Sequence, residues 1–177
     1  MKSPILGAAY VARSINAADN RLLNLYPEST PDGGKTAAYF QRVPGIRPVF
    51  QAASGVVRGM WTARNKLYVV IGSTLVQAEP YTLSSGTPTA TLTTVGTGIA
   101  GTGPVSMVDN GQQIFIATNP KGYIYNLDSG VFAQIGDPDF PGAVTVGYVN
   151  GYFVFNEPNS ARVWVTALYD GANIDAL

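Results

Sequence analysis

Residues 108–125 read VDNGQQIFIATNPKGYIY, and residues 148–165 read YVNGYFVFNEPNSARVWV. Each stretch is a pair of apolar, β-favouring runs around a polar loop, and Asn-Gly stands before the first run. Laid forty positions apart without a gap, Asn110 falls on Asn150, Gly111 on Gly151, Phe115 on Phe155 and Asn119 on Asn159. Asn and Gly accept positive φ, so this dipeptide beside apolar runs is a hairpin signal. A chain that writes the same hairpin twice at such an interval is building a repeated unit.

Outward from this pair the same cycle recurs. Residues 56–63 (VVRGMWTA) and 66–72 (KLYVVIG) read as strands around a turn at Arg64-Asn65, and TLVQAE follows the turn at Gly72-Ser73. The Thr- and Gly-rich stretch 84–103 holds an alternating segment, and this predicts an outer, half-exposed strand over 90–95. The second cycle, 104–136, reads as four strands over 105–108, 113–117, 123–126 and 131–135. The third starts at Val144 and reaches its third strand at 163–166. Asn65, Asn110 and Asn150 mark intervals of 45 and 40 residues. Periods of 40–50 residues with about four short strands each belong to propeller blades, which bury both faces against neighbours. The alternative is a β-sandwich of meandering hairpins. The expected fold is all-β, with β-propeller-like antiparallel blades, about three and incomplete, behind an irregular N-terminal arm. The boundaries are 1–54 for the arm and first strands and 55–177 for the partial propeller, with blades near 55–95, 104–136 and 143–177. Closed propellers have about four to eight blades, so the chain is expected to be a fragment of a longer one.

Residues 1–20 could form a short helix or an extended arm, with Ser14 and Asn16 as N-cap candidates. LLNLY reads as a strand ended by Pro27, 27–36 as loop, and 37–43 as a strand turned by Pro44-Gly45.

Composition agrees with strands and turns. Of 177 residues, 20 are Gly and 12 Pro, more breakers than a helical protein carries easily. Hydrophobic residues make up 46% and argue against disorder. Charged residues make up only 12%, about half the usual share. Cysteine and histidine are absent, which removes disulfides, thiolate nucleophiles, the usual zinc sites and His-based acid–base chemistry. No apolar run approaches the length of a membrane span, and Arg13 interrupts the early apolar stretch that a secretory signal would need.

Charge is zero overall but unevenly placed. Residues 1–66 hold nine of the eleven Lys/Arg against three acids, and residues 67–177 hold two against eight. The split is either chance clustering on solvated faces or two surfaces with different partners, one of which could meet phosphates. Arg13, Arg21, Lys35, Arg42, Arg47 and Arg58 are the candidate partner-contact residues.

Catalytic readings find little support. Asp137-Pro138-Asp139 offers two carboxylates, but Asp in a turn ordinarily caps backbone N–H groups. Calcium ligation there lacks the loop spacing and the distal Glu. Gly96 to Gly101 spells G-x-G-x-x-G, yet another strand follows where a dinucleotide site needs a helix. Trp61, Trp164 and the ten tyrosines could stack on bases, but large rings more often fill the space between sheets. No catalytic residue, metal ligand or cofactor is expected.

The N-terminal phrases SPILGAAYVARSINAADNRLLNLYPE, RVPGIRPV and GVVRGMWTARNKLYVVIGSTLVQ occur in a telling order. In that series the chain resembles the packaged-DNA stabilisation proteins, or tail hubs and nozzles, of short-tailed bacteriophages. The matching residues are Asn24-Leu25-Tyr26-Pro27, Pro44-Gly45, Arg58-Gly59, Leu67-Tyr68 and Gly72. The resemblance implies a structural virion protein without enzymatic activity. It implies a homo-oligomeric ring, a hexamer in the full-length protein, between the portal adaptor and the tail needle or distal tail. Such a ring retains packaged DNA, lets it pass at ejection, touches no membrane, and is assembled in the host cytoplasm. The alternative from another class is a carbohydrate- or ligand-binding propeller module, and a third is a propeller glycosidase.

Overall fold

The structure, a computed structural model, describes residues 25–29, 38–45, 48–51 and 54–174. Two compact units divide at Arg47 and Pro48.

In the first unit, β1 (Leu25–Ser29) pairs antiparallel with β2 (Ala38–Arg42). β1 runs through Pro27 rather than ending there. Among the described residues it has a strand neighbour on one side only, and proline is tolerated on such an edge. Glu28 stands opposite Tyr39, and its carboxylate pushes the Tyr39 phenol above the ordinary value.

The second unit holds three four-stranded antiparallel sheets. The first is β3 (Val57–Ala63), β4 (Lys66–Ile71), β5 (Thr74–Thr82) and β6 (Pro88–Thr97). The second is β7 (Ser106–Asp109), β8 (Gln113–Ala117), β9 (Gly122–Asn126) and β10 (Phe132–Gln134). The third is β11 (Val146–Val149), β12 (Tyr152–Asn156), β13 (Val163–Ala167) and β14 (Asp170–Ile174). Each sheet is a meander in chain order. β3 lies beside β7 and β7 beside β11, while β6 meets β10. First strands therefore gather on one side, and the last strands of the first two sheets meet on the other, as in propeller blades. Among the described residues there is no helix, so none is long and apolar enough to cross a membrane.

The middle blade explains the apolar run with which the sequence opened. Ile114 and Ile116 of β8 and Tyr123 and Tyr125 of β9 face the first sheet, where they meet Tyr68, Val70 and Leu75. The intervening Phe115, Ala117 and Ile124 face the third sheet and meet Phe153 and Phe155. A strand buried on both faces has no reason to alternate with polar residues. Phe115 is fully enclosed, with ring centroids 5.5 Å from Phe153 and 5.7 Å from Phe155. Each such side chain contributes roughly 1.5–3 kcal/mol by leaving water.

The third cycle differs from the reading that stopped at its third strand. Asp170–Ile174 (DGANI) completes the sheet although Ile174 is its only strong strand former. Tertiary bonds hold it: Ile174 N–H donates to Asp137 Oδ2 at 2.9 Å, and Gly171 N–H donates to Gln113 Oε1 at 2.8 Å.

The forty-residue correspondence holds in the core and slips at the first turn. Phe115 and Phe155 are both buried, and Asn119 and Asn159 both take positive φ, 44° and 55°. Asn150 is left-handed at 50°, in a two-residue loop between Val149 and Tyr152. Asn110 is not left-handed. Its Oδ1 accepts from Gln112 and Gln113 N–H, and Gly111 takes the positive φ in a loop two residues longer.

Candidate assembly surface

Antiparallel meanders send alternate turns to opposite ends of the blades. One end carries Arg64-Asn65, the β5–β6 tip, the loop at Asn110–Gln112, the loop at Leu127–Gly130, Asn150-Gly151 and Leu168-Tyr169. Apart from the β5–β6 tip, these turns are joined to one another. Arg64 donates Nε–H and Nη2–H to Gly111 O at 2.9 and 2.7 Å, and Nη1–H to Asp128 Oδ1 at 2.6 Å. Asp109 Oδ1 accepts the Trp61 indole N–H at 2.6 Å, and Oδ2 accepts Gly111 N–H at 2.8 Å. Asn110 Nδ2 donates to Tyr169 O at 3.3 Å, and Tyr169 N–H donates to Gly151 O at 2.7 Å. The chain of bonds crosses all three blades and makes one continuous rim.

The rim presents charge and apolar surface together. The Arg64 guanidinium holds the Asp128 carboxyl below the ordinary carboxylate value, and Asp128 in turn pushes Arg64 upward. Both are solvent-exposed, so the pair adds little stability. Val149, Leu168 and Tyr169 are exposed beside it. Tyr169 sits at φ 60°, a left-handed conformation that costs a bulky residue roughly 1 kcal/mol.

The opposite end is built from the inter-blade links. Arg58 on β3 reaches into the link after β6. Its Nε–H donates to Gly103 O at 2.7 Å, Nη1–H to Gly72 O at 2.9 Å and Nη2–H to Ala100 O at 2.8 Å. The Gly-rich stretch 96–101 therefore turns a carbonyl toward a cation, where an anion cradle would offer N–H groups. In the next link, Asp137 Oδ1 accepts Asp139 N–H and Oδ2 accepts Ile174 N–H. Those backbone donors, that of Ile174 first, hold the Asp137 carboxyl below its ordinary value.

Two open recesses lie at this end. One, of about 340 Å³, is lined by residues including Lys121, Asp137 and Phe140. The other, of about 490 Å³, is lined by Thr102, Ser106, Thr118, Asn119 and Thr145 among others. The second holds hydroxyls and an amide but no titratable side chain. In the first, both Asp137 oxygens already accept backbone N–H groups. Among the described residues, no three acidic, His or Cys side chains stand close enough to hold a metal ion together.

The sequence-nominated cations separate. Arg13, Arg21, Lys35 and Arg47 lie outside the described residues. Arg42 ends β2 and is exposed. Arg58 is only 6% exposed, and its three bonds to carbonyls turn it inward. Its position between two apolar neighbours, Val57 and Gly59, was the one local hint. Arg64 was read only as a turn residue, yet it is the cation that knits the rim. The tryptophans pack as core residues, Trp61 against the first cluster and Trp164 against the second. Trp164 also donates its indole N–H to Glu157 at 3.2 Å.

No curated protein matches the chain. The family model described as bacteriophage P22 Gp10, beta-propeller, matches residues 1–177, the whole of the sequence. With three meandering four-stranded blades stacked face to face, and an N-terminal series of the expected kind, the chain belongs to this family of phage DNA-stabilisation proteins.

Proposed function

We propose that this phage structural protein is a hub of the tail, a ring subunit that connects the portal adaptor to the needle or distal tail and retains packaged DNA until ejection. The observation that carries the reading is the rim. Turns from three blades are locked to each other by side-chain bonds to backbone, which gives a pre-organised face of mixed charge and apolar character. Such a face loses little entropy when another subunit covers it. The protein works by burying surface in an assembly rather than by turning over a substrate, and it joins the virion in the host cytoplasm. The full-length protein forms a six-membered ring. The basic residues Arg13, Arg21, Lys35, Arg42 and Arg47 supply a contact surface toward a neighbouring protein, with DNA only passing through. A channel that bound phosphates tightly would hold the genome back.

The experiment is complementation of phage particles that lack the protein. Heads filled in its absence are expected to lose their DNA, and purified full-length protein is expected to bind the portal-adaptor end and restore DNA-filled particles. Heads that stay filled without it overturn the reading. So does a full-length protein that remains a monomer and binds glycans in place of the adaptor.

A further inference from the structure

The β5–β6 hairpin runs past the end of β4. Among the described residues, the pairs from Glu79 with Thr91 out to Thr82 with Pro88 have no third strand beside them. Its two edges are unlike. The β5 edge carries Pro80, and the Lys66–Glu79 ion pair lies at its base. Proline and charge are the usual means of blocking further strand pairing. The β6 edge has neither along its length. Its ten residues, PTATLTTVGT, contain no charge, and the only proline is the first residue.

The hydrogen-bonding sense of that edge follows from the tip. Leu83 N–H donates to Thr87 O at 3.0 Å, so these two close the ladder as a bonded pair. Bonded and non-bonded pairs alternate in an antiparallel ladder. Tyr81 with Thr89, Glu79 with Thr91 and Gln77 with Thr93 are then bonded pairs. The main-chain groups of Pro88, Ala90, Leu92 and Thr94 turn away from β5. β6 is the last strand of its sheet, and among the described residues no strand takes up those groups. Residues 91–94 are exposed, and only the far end, where the Phe132 ring lies over Gly96, is covered by the next blade.

The free segment is also self-complementary. Thr89-Ala90-Thr91-Leu92-Thr93 maps onto itself when reversed about Thr91, Thr on Thr and Ala on Leu. We propose that β6 is an interaction edge that pairs antiparallel with β6 of a second copy, about a two-fold axis at Thr91. In that register Ala90 faces Leu92 of the second copy, and both present outward main-chain groups. The two strands exchange about six main-chain hydrogen bonds. Thr91 meets its own counterpart in a non-bonded pair, and Thr89 meets Thr93, side-chain pairings that antiparallel sheets favour. The contact closes on itself, as two-fold contacts do. A two-fold contact turns the second copy over, so this pairing joins free chains and not neighbours within a ring whose subunits all point one way, and it does not rest on the tail role.

The absence of cysteine makes the test direct, because each Thr→Cys variant has a single thiol. In the proposed register the two Thr91 Cα atoms lie about 4.5 Å apart, within disulfide range. The two Thr89 Cα atoms lie about 13 Å apart, four residues out of register. Mild oxidation is expected to convert most of Thr91→Cys to a covalent dimer on non-reducing gels and to leave Thr89→Cys monomeric. A mixture of Thr89→Cys and Thr93→Cys is expected to give the mixed dimer. Sedimentation velocity of the unmodified chain is expected to give a concentration-dependent dimer, and Ala90→Pro is expected to weaken it at least tenfold. That substitution removes an outward N–H and no bond to β5, and Pro80 already occupies the residue paired with Ala90. Equal cross-linking of Thr89→Cys and Thr91→Cys, no cross-linking of either, or a dimer indifferent to Ala90→Pro overturns the proposal.

Discussion

Arg58 Nη2 donates to the carbonyl oxygen of Ala100 at 2.8 Å, across forty-two residues of sequence. With Gly72 and Gly103 it makes three such bonds, so one buried guanidinium fixes where the first blade hands the chain to the second. Arg58→Ala leaves three carbonyls without that donor, and each loss costs about 1–3 kcal/mol when the group stays buried. The expected destabilisation is at least about 3 kcal/mol, read from the urea midpoint. Arg58→Lys is expected to recover only part of it, because a compact ammonium cannot reproduce the planar fork.

Asp137 makes the corresponding fastening in the next link, and its test is pH. Its carboxyl is held below the ordinary carboxylate value because Ile174 and Asp139 N–H groups favour the anion. A carboxyl depressed in the folded state contributes stability above the unfolded value, and this is lost as pH falls through the folded value. Thermal stability of the unmodified chain is expected to drop as pH falls below about 4. Asp137→Asn is expected to be less stable at pH 7 and to show a shallower acid slope. Parallel acid slopes for the two proteins would contradict the assignment.

Gly59 shows how closely the blades approach. A Cβ there would stand 2.6 Å from Val105 Cγ2 and 2.8 Å from Val105 O, and the backbone oxygen cannot rotate away. Gly59→Ala is expected to cost about 1–3 kcal/mol in chemical unfolding. Gly147 has open space around its Cβ position and no positive φ, so Gly147→Ala is expected to fall within about 0.5 kcal/mol of the unmodified chain.

Phe115 couples the second and third blades. Its ring meets Phe140, Phe153 and Phe155, with centroids between 5.5 and 6.4 Å away. Phe115→Ala is expected to cost about 3–5 kcal/mol. That is a large share of the ~5–15 kcal/mol typical of a domain. Near-ultraviolet circular dichroism and the denaturation midpoint should both report the loss, and a midpoint within error of the unmodified chain would refute the packing described.

Much of the blade pattern was legible because it is written locally. Asn150-Gly151 and Arg64-Asn65 are turns whose chemistry needs only neighbouring residues, and β8 was read residue for residue at 113–117. The strand β14 was not legible, since Asp-Gly-Ala-Asn carries no β preference and is held by Asp137 and Gln113 from another sheet. Nor was the two-residue slip at Asn110, where a side-chain oxygen took over the work that left-handed backbone does at Asn150.

The amino-acid order alone determined the class of fold, the period and most turns, because hydrophobic alternation and φ preferences act within a few residues. Only the tertiary structure decided what the polar groups do. Arg58 and Arg64 stand six residues apart, and both precede a residue suited to a turn. One is sealed among carbonyls and the other bridges two blades in solvent, because the facing groups come from residues 14 to 64 positions away. Desolvation and hydrogen-bond partnership are set by those distant neighbours, which no local stretch of sequence encodes.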